Sequence, residues 1–237
     1  MTLIRGVIFD IDGTLVDSND QHAKAWVEAL AEFGIDVKFE QARRLIGKGG
    51  DKVLPELSGI EKESDDGKKI SDYRAELFKV KYQPHLKPFP GSKDLLALLV
   101  ERGKRLVVAS SAQAEELKVL LKIAGADKFI EDATSSSDAE RSKPDPDIVQ
   151  VALDNLGLDR DEVVMIGDTP YDIEAAARAG IRTIAFRSGG WPDAGLEGAL
   201  AIYDGPADLR ARFDSSPLAE GASSEGRPLD TGGAPPI

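Results

Sequence analysis

The chain has 237 residues, 41% hydrophobic and 30% charged, which suits a soluble globular protein with one ordinary core and an insertion, or two small domains. Forty-two acids against 30 bases leave a net charge of −12, a poor match to nucleic acid or an anionic membrane, both of which call for a basic face. Cysteine is absent and histidine occurs only twice, which excludes a disulfide framework, a thiol nucleophile and a Cys- or His-based metal site. No apolar run approaches the roughly 18 residues of a membrane-spanning helix. The N-terminus lacks the basic and apolar regions of a signal peptide, so a cytoplasmic location is expected.

The first predicted element is a buried strand over Leu3 to Phe9, a short β-rich apolar run. It ends in Asp10 and Asp12, with Gly13-Thr14 directly after. Ser18 or Asn19 can cap a helix through about Phe33, with Trp26, Val27, Leu30 and Phe33 along one side. Helical stretches follow over Phe39 to Ile46, about Asp51 to Leu57, and Ser64 to Tyr82, the last with Ile70, Tyr73, Leu77 and Val80 as its apolar stripe. Pro84, Pro88 and Pro90-Gly91 then break the pattern. Residues 17–86 therefore read as an inserted all-helical domain between two parts of a core, 1–16 and 87–213.

From Gly91 helices and strands alternate. Helices are predicted over Ser92 to Arg102, Ala112 to Ala124, Asp147 to Leu156 and Asp172 to Ala179. Strands are predicted at Arg105 to Ala109, near Phe129, at Val163 to Ile166 and at Arg182 to Phe186. That alternation implies an α/β, Rossmann-like parallel sheet flanked by helices, with right-handed crossovers. Pro206 to Phe213 suits a short last helix. Residues 214–237, rich in Ser, Gly, Pro and Ala, read as a flexible tail whose removal after Phe213 should leave activity intact.

Chemistry gathers at the expected strand ends, where ligands bind in open α/β sheets. Asp10 and Asp12 close the first strand, and Ser110-Ser111 follow the Ala109 strand. Lys143 lies in the loop before a helix, and Gly167-Asp168-Thr169-Pro170-Tyr171-Asp172 follow Ile166. Taken singly, each has a bland reading: a polar turn, a helix cap at Ser110-Ser111 or Asp172, a solvated charge at Lys143. Together they supply what phosphoryl transfer requires: an attacking carboxylate, a fixed cation, hydroxyl and N–H donors, and acids for a hard divalent metal.

In these four motifs, their order and their spacing, the chain resembles the haloacid dehalogenase-like hydrolase superfamily, in the branch with a helical cap inserted after the first strand. The resemblance covers about Leu3 to Phe213. It implies Asp10 as a nucleophile that forms an aspartyl-phosphate, and Asp12 as general acid and then base. It implies phosphoryl binding by Ser110, the Ser111 amide and Lys143. Mg²⁺ would be held by Asp10, Asp168 and the backbone carbonyl of Asp12, with Asp172 in support. The substrate would be a small phosphorylated metabolite, as for phosphoglycolate phosphatase, and the simplest oligomeric expectation is a monomer.

Three other classes compete. Sugar-phosphate mutases such as β-phosphoglucomutase share the cap, and His22 stands where they carry a histidine that assists proton transfer. Their cap Lys and Arg fall on Ile46 and Gly50 here, and their Glu-Asp on Gly167-Asp168, which weakens that reading. A non-catalytic binding module would carry a broken motif, and none is broken. Dehalogenases attack carbon and typically lack the second acid, which Asp12 supplies. Substrate selection is expected from the cap, with Arg43, Lys48 and His22 as candidates.

Overall fold

The computed structural model describes residues 2–219. Strand β1 (Gly6–Phe9) is buried along its whole length, and its side chains alternate between two hydrophobic clusters. Val7 and Phe9 face one cluster, Ile8 the other. After a tight turn come β2 (Val16–Asp17) and the cap helices α1 (Asn19–Glu32), α2 (Phe39–Leu45), α3 (Gly50–Ser58) and α4 (Asp65–Leu77). A single π-helical segment, Phe78–Tyr82, continues α4, and β3 (Lys87–Pro88) brings the chain back to the core. The core then runs α5 (Ser92–Glu101), β4 (Arg105–Ala109), α6 (Ala114–Ala124), β5 (Asp132–Thr134), α7 (Asp147–Leu156), β6 (Val163–Gly167), α8 (Pro170–Arg178), β7 (Arg182–Phe186), β8 (Ala201–Tyr203) and α9 (Pro206–Ala211).

The sheet order is β5-β4-β1-β6-β7-β8, and every pairing is parallel. Leu95, Leu99, Leu117, Leu120 and Leu209 cover one face, and Ile148, Ala152, Ala175 and Ala176 of α7 and α8 cover the other. This is the expected Rossmann-like sheet flanked by helices. Each fully buried aliphatic chain contributes about 1.5–3 kcal/mol. β1 lies between β4 and β6, so the C-terminal ends of those three strands open on one crevice. The cap has its own core of Ala23, Trp26, Leu30, Ala42, Ile46, Val53, Leu54 and Ile70. Its two crossings pair as an antiparallel ribbon, Val16 opposite Pro88 and Asp17 opposite Lys87. Among the described residues, no helix is long and apolar enough to cross a membrane.

Four expectations change. The strand placed near Phe129 forms instead at Asp132–Thr134; Phe129 lies in a turn, its N–H donating to Ala126 O (2.9 Å). Strand β8, a short pairing at the sheet edge, carries no long apolar run and was not foreseen. The apolar stripe assigned to α4 is rotated: Tyr73 is 41% and Val80 65% exposed, whereas Ile70 and Phe78 are buried. The inward face includes Arg74, a polar residue that hides the periodicity. Last, the chain does not leave the core at Asp214. Ser216 and Leu218 are buried, Leu218 beside Leu209 and Phe213 in the main cluster; the rest of the expected tail lies outside the described residues.

Cutting the chain after Phe213 would therefore cost stability, and Leu218→Ala is expected to lower it by about 2–5 kcal/mol in denaturant melts. A second substitution should run against helix propensity. Ala normally stabilises a helix by about 1 kcal/mol over Gly, but a Cβ at Gly67 of α4 would stand 2.1 Å from the Glu61 carbonyl oxygen. Gly67→Ala is expected to lower the melting temperature.

Candidate active site

β1 sets the first acid. Asp10 N–H continues the ladder to Ile166 O (2.8 Å), which aims the carboxylate off the strand end into the crevice; Asp10 is 4% exposed. The chain then folds back on itself, with Leu15 N–H and Val16 N–H both donating to Ile11 O (2.9 and 3.0 Å). Gly13 makes this turn at φ 77°, and a Cβ there would lie 2.2 Å from Asp168 Oδ2. Only glycine fits.

Lys143 is almost wholly buried, and its ammonium donates to Asp10 Oδ1 (2.5 Å) and Asp172 Oδ1 (2.7 Å). Burial alone would lower its pKa, but the two carboxylates outweigh this and raise it, which favours the charged ammonium. Asp172 also begins α8. Its Oδ2 accepts from Thr169 N–H (3.0 Å), Thr169 Oγ1–H (2.7 Å) and Asp168 N–H (3.2 Å), a reciprocal cap. Asp172 thus caps α8 with one oxygen and meets Lys143 with the other.

Asp168, fully buried, accepts from Thr14 Oγ1–H at Oδ1 (3.0 Å) and from Asn19 Nδ2–H at Oδ2 (2.9 Å). Ser110, also fully buried, follows β4; its N–H donates to Thr134 O and its Oγ accepts from Ala112 N–H (3.1 Å). Ser111 lines the cavity beside it.

Asp12 stands apart from this cluster, under the cap. Its Oδ1 accepts from Ser18 Oγ–H (2.5 Å) and His22 Nε2–H (2.9 Å). An Arg74 NH₂ group, which can only donate, meets His22 Nδ1, so the ring proton lies on Nε2. The imidazole is stacked on Phe78 at 4.0 Å, and Glu116 Oε1 is 3.6 Å from Nε2. Burial pushes the Asp12 carboxyl up, but its contacts with His22 and Ser18 prevail and hold it below the usual range.

One oxygen from each of Asp10, Asp168 and Asp172 lies within 4.8 Å of the others, and with all four groups ionised, Lys143 included, three negative charges would face one positive. Burial foremost, opposed by Lys143 but reinforced by Asp172 and Asp12, pushes Asp10 up to about 7. Burial, then Asp172 and Asp10, raises Asp168 well above the carboxylate range. Such a buried excess of negative charge fits a divalent cation, which takes oxygen ligands and would restore the ionised forms.

A cavity of about 100 Å³ lies between cap and core, with Asp10, Asp12, Trp26, Lys48, Arg74 and Gln113 in its walls. Lys48 reaches it, although its ammonium is paired with Glu56 (2.6 Å) and lies over the Tyr171 ring. Arg43 is not in its walls. That guanidinium is held by Asp20 (2.8 Å) and Gly189 O, tying the cap to the loop after β7. Sequence reasoning missed Thr14, Asn19, Arg74 and Glu116. Ser18 and Asn19 had been read as helix caps, but Ser18 makes no capping hydrogen bond and spends its hydroxyl on Asp12. A run of small polar residues directly after Asp12 was the available signal.

The sequence pattern of haloacid dehalogenase-like hydrolases matches residues 7–186, and the chain belongs to that family. It is 32% identical over 215 residues to the phosphoglycolate phosphatase of Rhodospirillum rubrum, covering 86% of this chain and 89% of that one. It is 27% identical over 188 residues to the pyrophosphatase PpaX of Halalkalibacterium halodurans, covering 76% and 82%. Among solved structures, a hydrolase from Pseudomonas syringae superposes with a TM-score of 0.83 at 32% identity, over 91% of this chain and all of that one. A protein from Bacteroides vulgatus, provisionally named a β-phosphoglucomutase, gives 0.80 at 25% identity, over 92% and 91%. The chain is thus a hydrolase, and its phosphatase-named relatives support action on phosphoric monoesters.

The raised carboxyls make stability depend on pH and metal. Between the ordinary carboxyl pKa and about 7 the folded Asp10 binds more protons than the unfolded chain, so its contribution to stability falls as pH rises through that window. A divalent cation removes that penalty. At 100 times its dissociation constant a cation adds about 2.7 kcal/mol, or roughly 5–10 °C for a chain of this size. Thermal melts with and without cation should show a larger gain at pH 8 than at pH 5, and Asp168→Asn should abolish it.

Proposed function

We propose that the protein is a Mg²⁺-dependent phosphatase of a small phosphorylated metabolite, working through an aspartyl-phosphate on Asp10. The observation that carries this is the division of labour between the two acids of the first motif. Asp10 is buried against the Lys143 ammonium; Asp12, two residues on, faces the cavity with a separate set of hydrogen-bond donors.

Lys143 draws negative charge to Asp10 and keeps its carboxylate oriented through Oδ1. A substrate phosphoryl group would sit against Lys143, the Ser110 hydroxyl and the Ser111 N–H, which offset its charge. The metal, held by Asp10, Asp168 and the Asp12 carbonyl, would neutralise phosphoryl oxygens. As Asp10 attacks phosphorus and the bond to the leaving oxygen breaks, Asp12 gives that oxygen a proton. Asp12, now a carboxylate, then takes a proton from water as the water displaces Asp10 from phosphorus. Its depressed pKa in the free site leaves it ionised, the form that accepts a proton, so the first step requires the anionic phosphoryl group of a bound substrate to raise it and let it carry the proton it gives up.

Enclosure by the cap limits competing water and supplies the pocket for the leaving alcohol. Lys48 stands in that wall, and His22, bound to Asp12, orients the proton-transferring acid. Arg43 would act by holding the cap down, since it bonds the core loop. The His22–Asp12 contact also supports the mutase reading. Against it, Ile46 and Gly50 stand at the cap positions aligned with the mutase cations, and Lys48 is neutralised by Glu56.

Phosphate release from a panel of small phosphomonoesters is expected to need Mg²⁺ and to fall on the order of 10³-fold or more in Asp10→Asn. Full turnover in that variant would overturn the assignment of the nucleophile. Conversion of a hexose 1-phosphate to its 6-isomer without net release would instead establish the mutase.

A further inference from the structure

Asn19 opens the cap helix α1, yet its side chain belongs to the core. Its Nδ2–H donates to Asp168 Oδ2 (2.9 Å), and a carboxylate in that position requires the donor end of the carboxamide to face it. The other end, Oδ1, is buried and has no hydrogen-bond partner, and the residue is only 3% exposed. Buried acceptors left empty are uncommon because they forfeit hydration without compensation. The surroundings leave little freedom for a different arrangement. A Cβ at Gly13 would lie 2.1 Å from Asn19 Nδ2, and one at Gly189 only 1.8 Å from Asp168 Oδ2. Two glycines and one carboxamide therefore enclose the same carboxylate oxygen.

We infer that Asn19 is a positioning residue for the divalent cation: it orients Asp168 through Nδ2–H and accepts, through Oδ1, a hydrogen bond from a water the cation brings with it. Mg²⁺ keeps several of its waters when bound by one or two carboxylates, and these supply the donor that the empty acceptor lacks. Because Asn19 lies in the first turn of α1, whose later residues Ala23, Trp26 and Leu30 form the cap core, cation occupancy and cap position share one side chain. The inference rests on the reading of Asp10 and Asp168 as the cation's carboxylates.

The test is calorimetric titration of Mg²⁺ into chelator-stripped protein, read beside the melting temperature in chelator. Asn19→Ala and the near-isosteric Asn19→Leu are expected to bind Mg²⁺ about 10-fold more weakly, as removal of an outer-shell partner does. The gain in melting temperature on adding Mg²⁺ should shrink in both, whatever their stability in chelator. A purely structural role would lower the melting temperature equally with and without Mg²⁺, and affinity within twofold of wild type in the folded variant would overturn the inference. Asp168→Asn separates the two levels. Wild-type affinity there would sink the metal-site reading itself, while lost affinity there with unchanged affinity in both Asn19 variants would sink only the role of Asn19.

Discussion

Three carboxylates and one ammonium lie almost wholly buried at the C-terminal ends of the central strands. Desolvation disfavours every one of these charges, and Lys143 compensates only two of the acids directly. The arrangement persists because each group is held by a different element. Asp10 comes from the end of β1, Asp168 from the end of β6, Asp172 from the first turn of α8 and Lys143 from the loop before α7. Asp10 and Asp168 could not draw apart without breaking the buried pairing of β1 with β6. The sheet therefore does more than carry the site; it enforces an electrostatic excess that the site alone would not tolerate.

The same logic explains the density of polar contacts where cap meets core. Lys52 pairs with Asp145 (2.5 Å), Gly49 N–H donates to Ser142 Oγ (3.1 Å), and Tyr171 Oη–H donates to Arg44 O (2.6 Å). Ser142 and Asp145 flank Lys143 in sequence, so the cap grips the loop that delivers the buried ammonium. A half-exposed ion pair such as Lys52–Asp145 contributes little to stability, on the order of 0–1 kcal/mol. The value of these contacts lies in registering two bodies, each with its own hydrophobic core.

Much of this was legible in the chain. Continuous apolar runs such as Val163 to Ile166 announced buried parallel strands, and the acids and hydroxyls at their ends fell in one crevice because parallel strands end on the same side. What escaped were residues whose role contradicts their local pattern. Arg74 sits on the buried face of α4, so the helix seemed to present Tyr73 and Val80 instead. Asn19 looked like a cap because Asn begins helices for local reasons, while its partner lies 149 residues away. Leu218 was lost in a polar composition, although one well-placed leucine is enough to pin a short segment. Periodicity reports what packs, and it is silent where a helix turns a charge inward.

The ribbon formed by Val16–Asp17 and Lys87–Pro88 has a consequence for how such a molecule can change over time. Paired strands lie about 4.8 Å apart, so the whole insertion leaves and re-enters the core at neighbouring points. Such a junction tolerates exchange: a different insert, or a bare turn, would bridge the same gap without disturbing the sheet. The covalent path between the two bodies is thus only two strands wide, although Asn19 and His22 reach from the insertion to the acids of the core.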